Sequence, residues 1–459
     1  MRILMVTAEF APLAKVGGLA DMAAGLAAWL AAAGHEVRVI MPAYGVTEPP
    51  QLRPVALAEA PAGLEVFELI APEHFGTPPV YLGDDRDAVR FALLGEAALA
   101  HAHADGFHPD IIHAHDWHAA AAVALPAPWH PTPPTVLTLH NIGYQGIFGL
   151  DALPDGPLRE ALRDPTVVEP RLNFLAAGIA RATTLTTVSP THASEILTSE
   201  YGAGLDGLLR ERADRLHGIL NGVDYDLWSP AHDPLIEHPY SAENPGGKAD
   251  NRAALLEALG LVVDDDVAIV GMITRLTAQK GLDLLIDALP GLVAAQECSL
   301  VILGMGEARY VDALRALADA HPGAITLLEA HDETLAHRLL AGSDLLLMPS
   351  RYEPCGLTQL YAMRYGTIPV VRATGGLADS VQHFDPLTGE GTGVVFRDYD
   401  VGGIHWGLTQ ALAWHAEPAL WRQLMTNAMR SDFSWEKQGP AYLAVYSALS
   451  GAVSGAKQD

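Results

Sequence analysis

Cysteine is almost absent from this chain of 459 residues, which contains only Cys298 and Cys355 and therefore cannot build a disulfide framework. Long apolar segments are also missing: no run of 18 apolar residues occurs, so we expect no transmembrane helix. The apolar start of the chain is cut short at Thr7-Ala-Glu9, which argues against a signal peptide. These absences predict a soluble cytoplasmic protein without a membrane partner.

Basic residues are scarce as well: 28 Lys and Arg stand against 55 Asp and Glu, and the formal net charge is −27. Such a field repels nucleic acids and anionic membranes, so neither is an expected partner. Lysine is especially rare, and two of the five lysines, Lys15 and Lys280, stand in glycine-containing loops. An ammonium and a guanidinium do not substitute freely at a phosphate. We therefore favour a functional role for both lysines over the alternative that they occur in these loops by chance.

The order of strand and helix patterns predicts an α/β fold. A strand pattern at residues 3–8, a helix pattern at 19–33 and a strand pattern at 36–41 form a βαβ unit, which implies a parallel sheet. Sheets of this kind bind ligands at the carboxyl ends of their strands.

A second α/β series starts with a strand pattern at residues 268–273, after a stretch at 229–247 that lacks periodicity and suits a linker. We therefore predict two doubly wound domains, at residues 1–235 and 248–435, with a ligand cleft between them.

The segment Gly-Gly-Leu-Ala-Asp occurs twice, at 17–21 and 375–379, each time where an apolar run gives way to a helical pattern. Backbone amides at a helix N-terminus carry partial positive charge, and glycine lets a phosphate approach them closely. The two copies suggest two similar α/β halves that face one ligand, with Lys15 adding a full charge to the first. The pattern matches neither a dinucleotide fingerprint nor a P-loop, and a plain strand-to-helix turn is the alternative.

Polar residues follow two further strand patterns, at His113-Ala-His-Asp-Trp-His118 and at His140-Asn141. Three histidines and an aspartate within six residues invite a metal site, but their spacing does not fit one and no cysteine supports it. We favour hydrogen bonds from these side chains to sugar hydroxyls. The alternatives are a metal site and purely structural histidines.

Two cations lie between a strand and a helix in Arg275-Leu-Thr-Ala-Gln-Lys-Gly281. Their joint task would be to neutralise a diphosphate that gains charge as it leaves. A solvated loop is the alternative.

A carboxylate, Glu353, stands just before a Pro-Cys-Gly turn that leads into a helix. Pro354 limits Glu353 to an extended backbone. The amides of Gly356, Leu357 and Thr358 would form a second anion site, with the Thr358 hydroxyl as a further donor. We favour a functional Glu353 over an ordinary surface glutamate.

Together these motifs resemble those of the bacterial glycogen synthases and plant starch synthases that use ADP-glucose. The likeness is collinear from Met1 to about Tyr446. It rests on Lys15-Val-Gly-Gly-Leu-Ala-Asp21, His113-Ala-His-Asp-Trp-His118, His140-Asn141 with Tyr144-Gln-Gly146, Ser189-Pro190, Asn221-Gly-Val-Asp224, Arg275-Leu-Thr-Ala-Gln-Lys-Gly281, Glu353-Pro-Cys-Gly-Leu-Thr-Gln359 and Thr374-Gly-Gly-Leu-Ala-Asp379. A single motif would mean little, whereas the set is highly specific.

The resemblance implies a GT-B fold: two Rossmann-like doubly wound parallel-sheet domains with an interdomain active-site cleft, and a C-terminal helix at 436–459 that packs back on the first domain. It implies a retaining hexosyltransferase that moves glucose from ADP-glucose to the non-reducing end of an α-1,4-glucan, such as glycogen or a maltooligosaccharide. It also implies no metal and no cofactor, because cationic side chains and amides take the place of a divalent ion.

The resemblance also implies roles for individual residues. The catalytic residues are Glu353, which supports positive charge on the sugar, Lys280 and Arg275, which stabilise the departing ADP, and His140, which holds the donor glucose. The donor-binding residues are Lys15, Gly17, Gly18, Asn141, Gly356, Leu357, Thr358 and His331. The acceptor side is lined by Glu9, Asp116 and Asn221.

The chain departs from the family pattern at three places. His331 stands where the family often has an aromatic residue thought to stack on adenine, Ala176 replaces a common lysine, and the stretch 72–90 is shorter than usual. The rival functions are a retaining GT-B transferase that uses a UDP- or GDP-sugar, a catalytically silent glucan-binding relative and, more distantly, a nicotinamide-dependent dehydrogenase.

Overall fold

A computed structural model describes residues 1–295 and 298–455 of the chain. Unit 1 comprises Met1–Gly222 and resumes at Ser434, and unit 2 comprises Val223–Phe433. The sequence predicts a first domain at residues 1–235 and a linker-like stretch at 229–247. The boundary lies earlier because Trp228, Ile236 and Tyr240 are buried in the core of unit 2, so this irregular stretch is part of that unit.

The strands of unit 1 are β1 (Arg2–Val6), β2 (Glu36–Pro42), β3 (Gln51–Val55), β4 (Leu64–Ile70), β5 (Ile111–His115), β6 (Thr135–Leu139), β7 (Ile147–Phe148), β8 (Leu172–Asn173), β9 (Thr184–Thr187) and β10 (Leu216–Gly218). The main sheet has the order β10-β9-β6-β5-β1-β2-β4-β3. Its neighbours are parallel except β3, which runs antiparallel to β4 at the edge. Strands β7 and β8 form a separate antiparallel pair.

The helices before the boundary are α1 (Gly18–Ala32), α2 (Pro72–Phe75), α3 (Arg86–Ala104), α4 (Asp116–Ala119), α5 (Ala121–Ala124), α6 (Pro157–Ala161), α7 (Phe174–Arg181), α8 (Pro190–Glu195) and α9 (Asp206–Arg210). They cover both faces of the sheet, as the alternation of side chains along β1 shows. Ile3 and Met5 pack with α1, whereas Leu4 and Val6 pack in the core that contains α3 and α7. A sheet buried on both faces explains why β1 is apolar at every position from Ile3 to Val6 rather than alternating.

The strands of unit 2 are β11 (Ala268–Ile273), β12 (Cys298–Leu303), β13 (Ile325–Leu328), β14 (Leu345–Met348), β15 (Ile368–Arg372) and β16 (Val394–Phe396). They form one parallel sheet in the order β13-β12-β11-β14-β15-β16. The strand order reverses direction between β11 and β14, and a reversal of this kind is where doubly wound sheets bind ligands.

The helices of unit 2 are α10 (Gly247–Leu259), α11 (Leu282–Ala295), α12 (Ala308–Ala320), α13 (Glu333–Gly342), α14 (Thr358–Arg364), α15 (Gly375–Ser380), α16 (Val401–His415) and α17 (Pro418–Met429). Val270 and Met272 of β11 face one core and Ile269 faces another, so this sheet is also covered on both faces.

The last helix, α18 (Trp435–Gly455), belongs to unit 1 and packs on α1. Trp435, Tyr442 and Tyr446 are buried in the same core as the α1 side chains. A side chain at Gly25 or Gly222 would overlap the Trp435 indole, so these two glycines let the helix approach closely. Within the described residues, no helix has the length and apolar character needed to cross a membrane.

Candidate active site

Glu9 lies beyond the end of β1, in the loop that leads to α1, and it is buried. Its Oε2 accepts hydrogen bonds from the backbone N–H groups of Val16 at 2.6 Å and Gly17 at 2.9 Å. The Tyr81 hydroxyl donates to Oε1. Burial raises the pKa of Glu9 above its usual value, although these hydrogen bonds oppose the shift. Glu9 therefore holds the loop that carries the first glycine motif.

The first glycine motif is open to a ligand. Gly17 has an extended backbone, with φ −155°, and a Cβ at this position would have, apart from its chain neighbours, no atom of the described residues within 4 Å. The surrounding chain therefore does not by itself require a glycine at position 17. Lys15, two residues earlier, has its Nζ 2.9 Å from Asp21 Oδ1, in the first turn of α1. A phosphate bound here would share this ammonium with a carboxylate.

The predicted sugar-side residues Asp116, His140 and Asn141 come together where β5 and β6 end. Asp116 Oδ1 accepts from the backbone N–H of His140 at 2.7 Å and of Asn141 at 3.4 Å. Asp116 has a left-handed backbone, with φ 56°, which costs energy for any residue other than glycine and is least costly for Asp and Asn. Burial raises its pKa to about 7. Asp116 thus joins two strand ends and titrates near neutral pH.

The histidines beside this site bind to one another and to hydroxyl groups. His115 Nδ1 lies 3.0 Å from His140 Nε2. His113 Nε2 lies 2.6 Å from Thr138 Oγ1, and its Nδ1 lies 2.7 Å from the hydroxyl of Tyr446 on α18. Burial lowers the pKa of both His113 and His140 to about 3, so these rings are neutral at physiological pH. Both ring nitrogens of His113 are engaged within the protein, as the structural alternative expects, and binding of sugar hydroxyls by His140 stays a prediction.

The metal alternative for residues 113–118 finds no geometric support. Over residues 1–295 and 298–455, no group of three or more His, Cys, Asp or Glu side chains has an arrangement that would hold a metal ion.

Asn221, the third predicted acceptor residue, is 4% exposed and close to the end of the first part of unit 1. Its Oδ1 is buried and has no hydrogen-bond partner among the described residues. A buried carbonyl oxygen without a partner is costly, so a polar ligand is a physical reason to retain it.

In unit 2, Lys280 and Glu353 form a short ion pair. Lys280 Nζ lies 2.5 Å from Glu353 Oε2, and the two side chains are 15% and 7% exposed. The Ser350 hydroxyl donates to the same oxygen at 3.1 Å. Lys280 ends one helical turn (Ala278–Lys280) and Glu353 follows β14, so two neighbouring strand ends supply the pair.

The second glycine motif differs from the first. Gly375 has φ +43°, and a side chain there would overlap the carbonyl oxygen of Glu353. A side chain at Gly376 would overlap the backbone of Cys355. The Gly376 N–H also donates to the Glu353 carbonyl at 3.0 Å. These glycines let α15, which is six residues long, pack against the Glu353 segment, so the repeat has two different physical causes.

The predicted diphosphate site at 356–358 is shaped by Gln359, which the sequence interpretation left without a role. Gln359 is fully buried, and its Nε2 donates to the carbonyls of Cys355 and Gly356, each at 3.0 Å, and to Ser380 Oγ at 3.1 Å. In a trans peptide the N–H points opposite to the C=O. With these two carbonyls directed at Gln359, the N–H groups of Gly356 and Leu357 point away from it.

The other two predicted residues of unit 2 are exposed. Arg275 follows β11 and has its Nη2 3.4 Å from Gln279 Oε1. His331 lies in the loop between β13 and α13.

The sequence interpretation gave no role to four residues that contact the predicted ones. They are Tyr81, Ser350, Gln359 and Tyr446. Tyr81 lies 72 residues from its partner Glu9, and Tyr446 lies 333 residues from His113. No local pattern reports such partners. Gln359 is the exception, because it is the last residue of the Glu353 motif. A polar residue in the first turn of a predicted helix was the local signal that could have pointed to it.

Comparison with known proteins agrees with these features. A family model described as the starch synthase catalytic domain matches residues 2–211, and one described as glycosyl transferases group 1 matches residues 260–423. A glycogen synthase from Anaeromyxobacter sp. (strain Fw109-5) is 43% identical, with 98% of this chain and 99% of that protein covered. A glycogen synthase from Thermotoga maritima is 38% identical, with 97% and 98% covered.

A solved structure agrees with the same assignment. The catalytic domain of starch synthase IV from Arabidopsis thaliana, bound to ADP and acarbose, has a TM-score of 0.89 and 33% identity, with 98% of this chain and 99% of that chain covered. The predicted family and the fold class of two parallel α/β domains of GT-B type are therefore confirmed. The chain belongs to the glycogen and starch synthase family, and it is a glycosyltransferase that transfers hexosyl groups.

Proposed function

We propose that this glycogen synthase family member transfers glucose from ADP-glucose to the non-reducing end of an α-1,4-glucan with retention of the anomeric configuration. Glycogen and maltooligosaccharides are the proposed acceptors. The relative whose structure contains ADP and acarbose supports this choice of a nucleotide and a glucan-like ligand.

The observation that carries the proposal is the Lys280–Glu353 ion pair. When the bond between glucose and diphosphate breaks, the sugar gains positive charge and the diphosphate gains negative charge. A carboxylate and an ammonium 2.5 Å apart offer the opposite charge to each product. We propose that Glu353 supports the sugar, and that Lys280, together with Arg275, supports the departing ADP.

The ion pair also has a consequence for donor binding. In the resting protein the Lys280 ammonium is neutralised by Glu353, so a bound diphosphate competes for this cation. The N–H groups of Gly356 and Leu357, turned away from Gln359, are proposed to bind the same diphosphate with the Thr358 hydroxyl.

The residues of unit 1 are proposed to bind sugar. His140 is neutral and suited to hydrogen bonding with a hydroxyl group, and Asp116 orients it through the backbone. The Oδ1 of Asn221, for which the described part of the chain supplies no hydrogen-bond partner, would accept from a hydroxyl of the acceptor glucan. The open space at Gly17 would receive donor phosphate or acceptor.

We further propose a cytoplasmic enzyme that needs no metal ion, because Lys280 and Arg275 supply the positive charge that a divalent ion would otherwise bring. Within the described residues Cys298 and Cys355 form no disulfide, in keeping with a reducing compartment. The strongly negative net charge argues against a nucleic acid partner.

Initial rates with ADP-, UDP- and GDP-glucose on maltooligosaccharides test the donor and the reaction together. We expect the highest kcat/KM with ADP-glucose, products that grow by one glucose at a time, and complete digestion of the added units by an α-glucosidase. Preference for UDP- or GDP-glucose would favour the rival GT-B transferase. Binding of glucan without transfer from any donor would indicate a silent relative.

A further inference from the structure

A groove of about 710 Å³ lies within unit 2, outside the Lys280–Glu353 site. It is bordered by the end of α15, the segment that follows it, the start of α16 and the last residues of the unit. We call it the Trp406 groove and define it by the side chains Asp379, Gln382, His383, Thr392, Arg397 and Trp406. None of these residues has a role in the reaction proposed above.

An aromatic surface forms one side of this groove. Trp406 is 46% exposed, and of the tryptophans in the described part of the chain it alone is exposed. Its ring stacks on that of His383, with centroids 5.7 Å apart and an angle of 22° between the planes. The His383 ring in turn lies 5.5 Å from that of the buried Trp414. The exposed indole is therefore held in place before any ligand arrives.

Fixed polar groups surround the aromatic surface. His383 Nδ1 accepts from the backbone N–H of Val395 at 3.1 Å, so the neutral ring carries its proton on Nε2 and presents a donor. Thr392 Oγ1 accepts from the backbone N–H of Gln382 at 3.0 Å, which fixes the Thr392 hydroxyl. Gln382 and Arg397 are exposed and add further hydrogen-bonding groups.

The chemistry of the groove indicates which ligand fits. A flat apolar ring with hydrogen-bond donors and acceptors at its edge matches a pyranose, which has apolar C–H faces and a rim of hydroxyls. Its carboxylates, Asp379 and Asp432, offset Arg397, so the groove is not a concentrated cation site of the kind a phosphate requires.

The groove is also close to the proposed reaction site. One end of α15 contacts the Glu353 backbone, and the other end borders the groove. A six-residue helix is about 9 Å long. A glucan chain many residues long could therefore occupy the groove while another of its branches is extended.

We propose that the Trp406 groove binds a segment of α-1,4-glucan and holds polymeric acceptor near the enzyme, separately from the site of glucose transfer. This proposal rests on the proposed glucan acceptor. A second attachment point raises the local concentration of chain ends, so the gain applies to glycogen and not to acceptors too short to reach both sites.

The test compares Trp406→Ala with Leu387→Ala, a control at a residue that is 95% exposed and does not line the groove. For Trp406→Ala we expect KM for glycogen to rise on the order of 10-fold. We expect kcat and the KM values for ADP-glucose and maltotriose to stay unchanged. Trp406→Phe, which keeps an aromatic face, should recover part of the loss, and Leu387→Ala should behave as the wild type.

Electrophoresis in native gels containing glycogen provides a readout that does not depend on catalysis. We expect glycogen to retard the wild type and Leu387→Ala but to retard Trp406→Ala much less, with melting temperatures within about 2 °C of each other. Equal retardation of all variants would overturn the proposal, as would an equal rise in KM for glycogen and maltotriose. If Trp406→Ala lost ADP binding, the groove would instead be assigned to a nucleotide. If the wild type were a dimer and Trp406→Ala a monomer, the groove would be assigned to a second copy of the chain. Retardation through Trp406 without any glucose transfer would leave this proposal standing while refuting the proposed function.

Discussion

The Lys280–Glu353 ion pair predicts that Glu353→Gln lowers stability as well as activity. Glutamine keeps the size of the side chain but removes the charge that lies 2.5 Å from the ammonium. The two side chains are only 15% and 7% exposed, so the remaining lysine would be a mostly buried cation without its counter-ion. Breaking one half of a buried pair costs roughly 3–5 kcal/mol, and the partial exposure of Lys280 places our expectation at about 3 kcal/mol.

A double variant separates the two effects. Lys280→Met keeps the apolar stem of the lysine and, combined with Glu353→Gln, leaves no unpaired charge. We expect the free energy of unfolding of the double variant to return to within about 1.5 kcal/mol of the wild type, because replacing both members of a buried pair is often close to neutral. The catalytic rate should not return: kcat should stay lower by roughly 10²–10⁴-fold, as the charge at the transition state is missing.

The assay combines denaturant unfolding of the wild type, both single variants and the double variant with steady-state rates on ADP-glucose and maltoheptaose. The four unfolding free energies give a coupling energy, the sum of the two single-variant losses minus the loss of the double variant, which we expect to be at least about 1.5 kcal/mol. Additive effects of the two substitutions on stability would refute the buried pair. A Glu353→Gln enzyme that turns over normally would remove Glu353 from the mechanism.

Three further predictions follow from the same structure. Gly17→Ala should leave the melting temperature unchanged but weaken activity, whereas Gly375→Ala should lower the melting temperature because its side chain would overlap the backbone of Glu353; equal effects on stability would contradict the difference between the two motifs. Burial raises the pKa of Asp116 to about 7, so the folded protein binds this proton more tightly than the unfolded chain and loses stability as the pH rises from about 4 to 7. The Asn side chain of Asp116→Asn cannot ionise, so this variant should not lose that stability. Its unfolding free energy relative to the wild type should rise by on the order of 1 kcal/mol per pH unit between pH 4 and 7 and then level off. Denaturant unfolding at several pH values measures this difference. Activity should survive dialysis against EDTA, and a large loss restored by Mn²⁺ or Zn²⁺ would revive the metal interpretation of residues 113–118.

Local patterns were sufficient to predict the strands that make up the middle of each sheet. β11 has the predicted bounds 268–273, and β2 extends one residue beyond the predicted 36–41, because each is an apolar run bounded by polar or turn residues. The edge strand β3 was not predicted, since its Arg53 and Pro54 interrupt the apolar pattern and only the antiparallel neighbour β4 explains their place. The prediction of a linker at 229–247 was wrong for a similar reason. The buried side chains of this stretch are too widely spaced to produce a helical or strand-like pattern.

The candidate sites also have features that local patterns predicted and features that they did not. Motifs identified the loops at the strand ends and the residue types they carry, which sufficed for the family and the reaction. They did not reveal that Glu9 is bound by Tyr81, or that Asp116 acts through the backbone N–H groups of His140 and Asn141.

By itself, the sequence determined the fold class, the family and the chemistry available at each loop, because strand periodicity, glycine placement and charged residues are local properties of the chain. The tertiary structure alone decided that Lys280 neutralises Glu353 and that the two glycine motifs differ, one open and the other covered by the Glu353 backbone. The partners in the ion pair are 73 residues apart. Their distance depends on how two strands and their following loops pack, and no local pattern contains that information.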